Sequence, residues 1–189
     1  MAGTSRADVQ RNRERLLASA RDAFATDGTD ASLRDIARRA GVGIGTLYRH
    51  FPTREALLEA ILDGDFETLR ERADLLHDSS AHTPHGALLT WLNELAAGAH
   101  TYEGLPHSIM TALADESSGL HASCAAMRAA GERLLERAQE AGQVRADVTV
   151  YEVIAIAIGL VWAAQQPGGP SDLLERLLST AMYGLAAHG

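Results

Sequence analysis

Residues 32–51 read SLRDIARRAGVGIGTLYRHF, and this stretch decides the fold of the first part of the chain. Ser32 stands where a helix cap is expected, and apolar residues then recur at helical spacing. Gly41 stands where a helix ends in a left-handed turn. A second short helix follows, with Ile44 and Leu47 directed inward. Two short helices joined by a glycine-containing turn are typical of a helix-turn-helix that reads DNA.

A longer segment, ASLRDIARRAGVGIGTLYRHFPTREAL, resembles the DNA-binding segment of the tetracycline-repressor (TetR) family of bacterial transcription regulators. The resemblance covers roughly Arg11 to Leu58 and keeps the spacing IA..AGV...TLY.HF throughout. It implies an N-terminal three-helix DNA-binding domain over residues 1–52. It also implies a C-terminal ligand-binding and dimerisation domain over residues 53–189, in which the fourth helix links the DNA reader to the regulatory body.

The rest of the sequence predicts further helices. Apolar residues recur at intervals of three and four to the end of the chain, without the alternation that is typical of a strand. Helix caps are expected at Thr53, Thr83 and Thr149. The segment PGGP then predicts a turn before the last helix, which Ser171 caps. The predicted fold class is therefore all-α, with about nine helices.

The composition is ordinary for a soluble globular protein, with 46% hydrophobic and 22% charged residues. No apolar run approaches the roughly 20 residues of a membrane span, and the first residues lack the apolar centre of a secretory signal. Cys124 is the only cysteine, so an internal disulfide is excluded and a reducing compartment suits the chain. We therefore expect a cytoplasmic protein with no membrane partner.

The net charge of −8 is unevenly distributed along the chain. Residues 1–55 hold ten arginines and seven acids, whereas the remainder holds seven arginines and 18 acids. The first part is thus basic, at +3, and the remainder is acidic, at −11. This asymmetry is typical of a basic nucleic-acid module joined to an acidic body.

The strongest functional candidates lie on the second helix of the motif, where adjacent residues carry hydrogen-bond donors or rings. Phosphates accept from hydroxyls and imidazoles, and arginine or threonine reads base edges in the major groove. The family resemblance implies that Tyr48 and His50 hold phosphates, whereas the other interpretation packs them beneath the fourth helix. Two interpretations remain open for Arg6, Arg11 and Arg13: they make further DNA contacts, or they form a solvated face of the first helix. The predicted DNA-binding residues are Ser32, Arg34, Ile44, Gly45, Thr46, Tyr48, Arg49, His50 and Arg54.

A homodimer is expected, because one such helix buries too little surface to give operator affinity. Two readers about 34 Å apart would cover successive major grooves. The family resemblance implies that the last two helices form a four-helix interface with their counterparts, although their apolar stripes must partly serve the protomer's own core. The predicted interface residues are Ile154, Ile158, Trp162, Leu174, Leu178, Ala181, Met182 and Leu185.

The regulatory body is expected to hold a cavity for a small-molecule effector. Ligand sites are mostly apolar with a few polar groups, and polar or polarisable residues occur on the apolar helices of this part. For each of them, plain packing in the core is the other interpretation. The predicted lining residues are Trp91, Leu95, His100, Tyr102, His107, Met110, Cys124, Met127 and Trp162.

The sequence predicts no enzyme activity, no cofactor and no metal. It contains no Ser/His/Asp order, glycine-rich phosphate loop or HExxH motif. His77, His82 and His85 flank a loop without the spacing of metal ligands. Cys124 is expected to be an inert thiol rather than an oxidant sensor.

These observations favour a homodimeric transcription regulator. We expect it to be a repressor that a small-molecule ligand releases from its operator. The expected partners are a double-stranded DNA operator, the effector and a second copy of the chain. The rival hypothesis is a ligand-binding or protein-interaction module whose DNA reader no longer functions.

Overall fold

A computed structural model describes residues 6–99, 107–164, 170 and 172–184, and within these ranges the chain forms nine α-helices and no strand. The helices are α1 (Arg6–Asp27), α2 (Leu33–Arg39), α3 (Ile44–His50), α4 (Arg54–Asp78), α5 (Pro84–Ala99), α6 (His107–Ala114), α7 (Gly119–Glu140), α8 (Val150–Ala164) and α9 (Leu173–Gly184). The all-α prediction is confirmed. None of these described helices is both long enough and apolar enough to span a membrane.

The predicted helix caps are present wherever the structure describes them. The hydroxyls of Thr53 and Thr83 each accept from the backbone N–H three residues on, at 3.1 Å in both cases. At the start of α8 the Thr149 N–H donates to the Glu152 carboxylate at 2.8 Å, and the Glu152 N–H donates to the Thr149 hydroxyl at 3.3 Å. This reciprocal pair is a capping box, and the Thr149 backbone hydrogen bond lowers the pKa of Glu152. The predicted cap at Ser171 lies outside the described residues.

The chain divides into two compact units. The first contains residues 6–64 and 107–121, and the second contains residues 65–99 and the described residues from 122 onward. The division falls inside α4 and inside α7, each of which is one continuous helix. It differs from the boundary predicted after residue 52, because buried residues of α4 belong to both units.

In the first unit, α1 packs on α2 and α2 packs on α3. Leu16 and Phe24 of α1, Ile36 of α2 and Leu47 of α3 are all completely or almost completely buried. Because α3 buries an apolar side chain and packs on α2, which packs on α1 in turn, side-chain packing fixes the position of α3.

The core of the second unit is built around the indole of Trp91 on α5. Trp91 is fully buried, and its Nε1–H donates to the Leu69 carbonyl of α4 at 2.9 Å. A Cβ built on Gly131 of α7 would lie 2.3 Å from Trp91 Cη2, closer than real contacts allow. Glycine at position 131 is therefore what lets the indole occupy this place. Helix α5 also packs on α8 and α9.

Polar contacts hold the end of α4 to its neighbours in the second unit. The Nε–H of Arg72 is shared between the two carboxylate oxygens of Glu94 on α5, at 2.9 and 3.0 Å. Arg133 of α7 pairs with Asp74, and Arg137 of α7 donates to the carbonyl of His77. The last carbonyls of a helix lack partners within it, so Arg137 satisfies one of those of α4.

Candidate nucleic-acid interface

The helix-turn-helix predicted from residues 32–51 is present as α2, a glycine turn and α3. The Ser32 hydroxyl caps α2 by accepting from the backbone N–H three residues on, at 3.3 Å. Gly41 has a φ of +67°, in the left-handed region that glycine adopts readily. This turn reverses the chain so that Leu47 of α3 enters the core, where it is fully buried. One side of α3 is thereby fixed and the opposite side faces outward.

The outward side of α3 carries the groups that the sequence predicted. Tyr48 is 49% exposed and Arg49 is exposed, while Thr46 and His50 are half-buried. The His50 ring centroid lies 6.1 Å from that of Phe51. The exposure of Tyr48 rules out the interpretation that packs it beneath α4. A hydroxyl, a guanidinium and an imidazole are therefore presented together, and these are groups that bind phosphates and base edges.

The arginines of the first unit differ in whether a carboxylate neutralises them. The exposed pairs are Arg11 with Asp8, Arg38 with Asp35 and Arg39 with Asp27. Arg34 and Arg49 are exposed and have no ion pair among the residues that the structure describes. An arginine without a carboxylate partner can neutralise a phosphate without first losing an existing contact. This difference favours Arg34 and Arg49 over the paired arginines as DNA contacts.

Arg54 makes contacts within the protein that the sequence did not predict. Its Nη1 donates to the carbonyls of Thr29 and Ala31, at 2.8 and 2.6 Å. Both acceptors lie in the turn between α1 and α2, and the Arg54 side chain is half-buried. Arg54 thus ties the start of α4 to this turn, and we leave it out of the proposed DNA contacts.

Gly45 gives a test that separates folding from DNA binding. It lies on the exposed side of α3, and a Cβ built on it meets no atom within 4 Å. Glycine inside a helix costs about 0.5–1 kcal/mol relative to alanine. We expect Gly45→Ala to raise the unfolding temperature but to weaken binding to a DNA duplex, because a methyl group blocks close approach of the α3 backbone to the base edges.

Thermal unfolding and fluorescence anisotropy measure the two effects of Gly45→Ala. The matched control is Gly98→Ala on α5, where a Cβ also meets nothing within 4 Å. The control is expected to leave DNA affinity unchanged. Wild-type affinity in Gly45→Ala would contradict a close approach of this residue to the bases.

Helix α8 is apolar on all sides, and Glu152 is its one charged residue. Its inward residues are Val150, Val153, Ala157 and Val161, all buried. The opposite side exposes Tyr151, Ile158 and Trp162, at 63%, 49% and 67%. Their spacing puts these three side chains on one helical face, which we call the α8 outer face. A contiguous exposed apolar face of this kind marks an interaction surface.

The predicted dimer residues separate by burial. Leu178 and Met182 are only 1% and 2% exposed, so the prediction that they meet a second copy is wrong. They lie on the side of α9 that faces the protomer's own core. Ile158 and Trp162 are exposed, whereas Ile154, Leu174 and Ala181 are half-buried and Leu185 lies outside the described residues.

The predicted dimer interface did not include two exposed aromatic residues of these helices. Tyr151 belongs to the α8 outer face, and Tyr183 of α9 is 74% exposed. The signal for Tyr151 was present, because it precedes Ile158 by seven residues and Trp162 by eleven, which is the spacing of one helical face.

The predicted ligand-lining residues differ in burial where the structure describes them. Trp91, Leu95 and Met127 are buried in the core of the second unit, and Cys124 packs against it. We correct the assignment of His107, Met110 and Trp162, because all three side chains are exposed and so do not line an enclosed cavity in the described part of the chain. His100 and Tyr102 lie outside the described residues. A cleft of about 410 Å³ has a different lining: Thr83, His85, Leu89, Gln143, Ser179 and Tyr183.

Cys124 has the environment of an unreactive thiol. Burial raises the pKa of Cys124, and the charge of Arg128 opposes that shift only in part. A thiol with a raised pKa stays protonated at neutral pH and is a poor nucleophile. Within the described ranges, no group of three or more His, Cys, Asp or Glu residues is arranged to hold a metal ion.

Two family models match the chain. Residues 16–61 match the model described as "Bacterial regulatory proteins, tetR family". Residues 83–187, more than half of the chain, match the model described as "Transcriptional regulator SbtR-like, C-terminal domain".

The similarity to known proteins covers nearly the whole chain in some cases and about a third of it in another. The crystal structure of a TetR transcriptional regulator from Streptomyces coelicolor has 32% sequence identity and a TM-score of 0.72, covering 94% of this chain and 99% of that one. The HTH-type transcriptional regulator UidR of Escherichia coli K12 is 29% identical over an alignment of 194 positions, which covers 99% of this chain and 86% of UidR. An HTH-type transcriptional regulator of Staphylococcus aureus is 41% identical over 61 residues, which span 31% of either chain.

Proposed function

Because this chain belongs to the TetR family of bacterial transcription regulators, we propose that its α3 helix reads an operator in the major groove of duplex DNA. In this proposal Tyr48 and His50 bind phosphates, and Arg49 and Thr46 reach base edges beside Ile44 and Gly45. Ser32 and Arg34 bind phosphates at the start of α2. The protein acts in the cytoplasm as a repressor, and a small-molecule effector releases it from DNA.

The observation that carries this proposal is the exposure of Tyr48 and Arg49 on a helix whose other side is buried. A 49% exposed tyrosine is not needed by the core, and the guanidinium of Arg49 has no ion pair in the described part of the chain. Hydroxyls and guanidinium groups held at the surface of a rigid helix are the usual means of DNA contact.

We expect Arg49→Ala to weaken binding to a selected duplex and to relax the preference at one base position. An arginine that reads a base edge discriminates against the wrong base by about 1–3 kcal/mol. Tyr48→Phe removes one phosphate hydrogen bond and is expected to weaken binding to all duplexes by about 0.5–1.5 kcal/mol. Fluorescence anisotropy measures both, with a duplex that the protein itself selects from a random-sequence pool.

The control for these variants is Arg145→Ala in the second unit, where Arg145 pairs with Asp147 at 2.6 Å. It removes the same charge as Arg49→Ala and is expected to leave affinity and base preference unchanged. Wild-type binding in both Arg49→Ala and Tyr48→Phe would favour the rival hypothesis, a ligand-binding or protein-interaction module with a non-functional DNA reader.

A homodimer completes the proposal, and the α8 outer face is the surface through which two copies meet. Helix α8 is apolar on all sides, so packing against its own protomer satisfies one side and leaves the other in water. Two copies that pair the same face are related by a two-fold axis. Two α3 helices related in this way can read two half-sites of one operator.

The effector part of the proposal assigns the ligand to the apolar interior of the second unit. Of the predicted lining residues, Leu95, Cys124 and Met127 are kept in this proposal. The Trp91 indole fills part of the same interior, so a bound ligand displaces it. A ligand shifts the DNA-binding equilibrium only through its different affinity for the two states. A typical coupling of about 1–3 kcal/mol changes DNA affinity about 5–150-fold.

Thermal-shift screening of a small-molecule library, followed by anisotropy with the selected duplex, tests the effector proposal. A compound that raises the unfolding temperature and releases the duplex supports it. A reporter gene placed downstream of that duplex sequence distinguishes a repressor from an activator. If the protein is a repressor, expression rises when the compound is added. If every stabilising compound leaves DNA affinity unchanged, the proposed release mechanism is wrong.

A further inference from the structure

We propose that Arg13 of α1 is a phosphate contact beside the recognition helix, an inference that rests on the DNA-binding function proposed above. The guanidinium carbon of Arg13 lies 5.7 Å from the centroid of the Phe51 ring. The His50 ring lies 6.1 Å from the same ring. Phe51 directly follows α3 and is 3% exposed. A fixed aromatic ring thus holds a cation from α1 next to the last residue of α3.

Among the described residues, no carboxylate pairs with Arg13. Two residues earlier on the same helix, Arg11 pairs with Asp8. Arg13 has no ion pair among the residues that the structure describes, and its contact there is with the face of Phe51. The difference matters because Arg13 can bind an anion without giving up an existing ion pair, whereas Arg11 cannot.

The position of Arg13 over the ring suits a phosphate. An arginine can turn the flat face of its guanidinium to a ring, and its N–H groups then remain available to donate in the plane of the group. Phosphate oxygens accept such a pair of N–H donors in the bidentate manner. Contact with the ring also restricts the side chain beforehand, so less conformational entropy is lost on binding. Because the His50 ring lies near the same Phe51 ring, Arg13 extends the phosphate-binding surface proposed for α3.

A support role for Arg13 predicts a different result from a phosphate contact. If Arg13 only covers Phe51, its removal lowers stability, but the number of phosphates that the protein neutralises stays the same. If Arg13 binds a phosphate, that number falls. The slope of log K against log salt reports this number, at about −0.9 for each phosphate neutralised on duplex DNA. The salt slope therefore separates the two roles.

The experiment measures anisotropy between about 50 and 200 mM salt with the selected duplex and with a random-sequence duplex. We expect Arg13→Gln to reduce the magnitude of the slope by about 0.9 for each protomer bound. Affinity for the two duplexes is expected to fall by a similar factor, because a phosphate contact carries no base preference. Arg13→Lys keeps the charge and is expected to keep the wild-type slope.

Two further variants complete the design. Arg145→Gln removes an equal charge from the second unit and is expected to leave the slope unchanged. Arg13→Met keeps an aliphatic stem over Phe51 without the charge, and it replaces Arg13→Gln if that variant does not fold. A wild-type slope in both uncharged variants overturns the proposal. If their unfolding temperature is also lowered, the role of Arg13 is to cover the Phe51 ring. If the wild-type protein binds neither duplex, the proposed DNA-binding function itself fails.

Discussion

Trp91→Ala is expected to lower the free energy of unfolding of the second unit by about 3–5 kcal/mol, the range found for removal of a large buried aromatic side chain. The indole is fully buried among α4, α5 and α7, and its Nε1–H bonds the Leu69 carbonyl at 2.9 Å. Alanine leaves a cavity that the surrounding helices fill only in part. Denaturant unfolding followed by circular dichroism measures the change. Leu75→Ala on α4, where the leucine is 65% exposed, is the control and is expected to cost less than about 0.5 kcal/mol.

The close approach of Trp91 to Gly131 gives a second prediction about this core. A Cβ there lies 2.3, 2.7 and 3.0 Å from three atoms of the Trp91 six-membered ring. Gly131→Ala therefore forces the indole to move, and overpacking of this kind costs about 1–3 kcal/mol. Trp91→Phe removes part of the clashing ring system. We expect the double variant Trp91→Phe/Gly131→Ala to lose less stability than the sum of the two single variants. Strictly additive losses would contradict the contact as described.

Ile158→Asp is expected to convert the proposed homodimer to a monomer and to remove most of its affinity for the selected duplex. The substitution places a carboxylate in the centre of the α8 outer face, where pairing with a second copy would bury it without a partner. Two linked DNA readers exceed the affinity of one by about 10²–10⁴, so a loss of this size is expected for the monomer. Sedimentation measures the oligomeric state, and anisotropy with the selected duplex measures affinity.

The fold of the protomer is expected to survive Ile158→Asp, because Ile158 is 49% exposed before any second copy binds. Far-ultraviolet circular dichroism checks this. Ala97→Asp adds the same charge at an exposed position of α5 and is expected to remain dimeric. An Ile158→Asp protein that stays dimeric and binds the duplex with wild-type affinity would refute the α8 outer face as the dimer surface.

Much of the candidate DNA interface could be predicted from the sequence, because its determinants are local. The cap at Ser32, the left-handed turn at Gly41 and the inward position of Leu47 each depend on residues within one or two helical turns. Once those positions are set, the outward direction of Tyr48 and Arg49 follows from helical geometry. The tie that Arg54 makes could not be predicted, because its carbonyl partners lie 23 and 25 residues earlier in the chain and no local pattern indicates such a contact.

The second unit was less predictable for a physical reason. A helix that is apolar on every side gives no periodic signal for which side faces the core. On α8, Tyr151 shares the helical face of Ile158 and Trp162, but nothing in the sequence shows that this is the face left exposed. Helix α9 carries Glu175 and Arg176 among its apolar residues, and there the single apolar stripe with Leu178 and Met182 serves the protomer's own core. The same ambiguity affects Trp91, since a buried tryptophan in a core and one in a ligand site have the same pattern along the sequence.

The sequence by itself determined the all-α fold class, the caps at Ser32, Thr53, Thr83 and Thr149, and the reader that α2 and α3 form, since these depend on spacings of three or four residues. Only the tertiary structure decided which apolar side of α8 and α9 is buried, that Arg54 ties α4 to the turn between α1 and α2, and that Arg13 lies over Phe51. Each of these depends on atoms brought together from distant parts of the chain, where packing space and hydrogen-bond partners select among positions that local periodicity leaves equivalent.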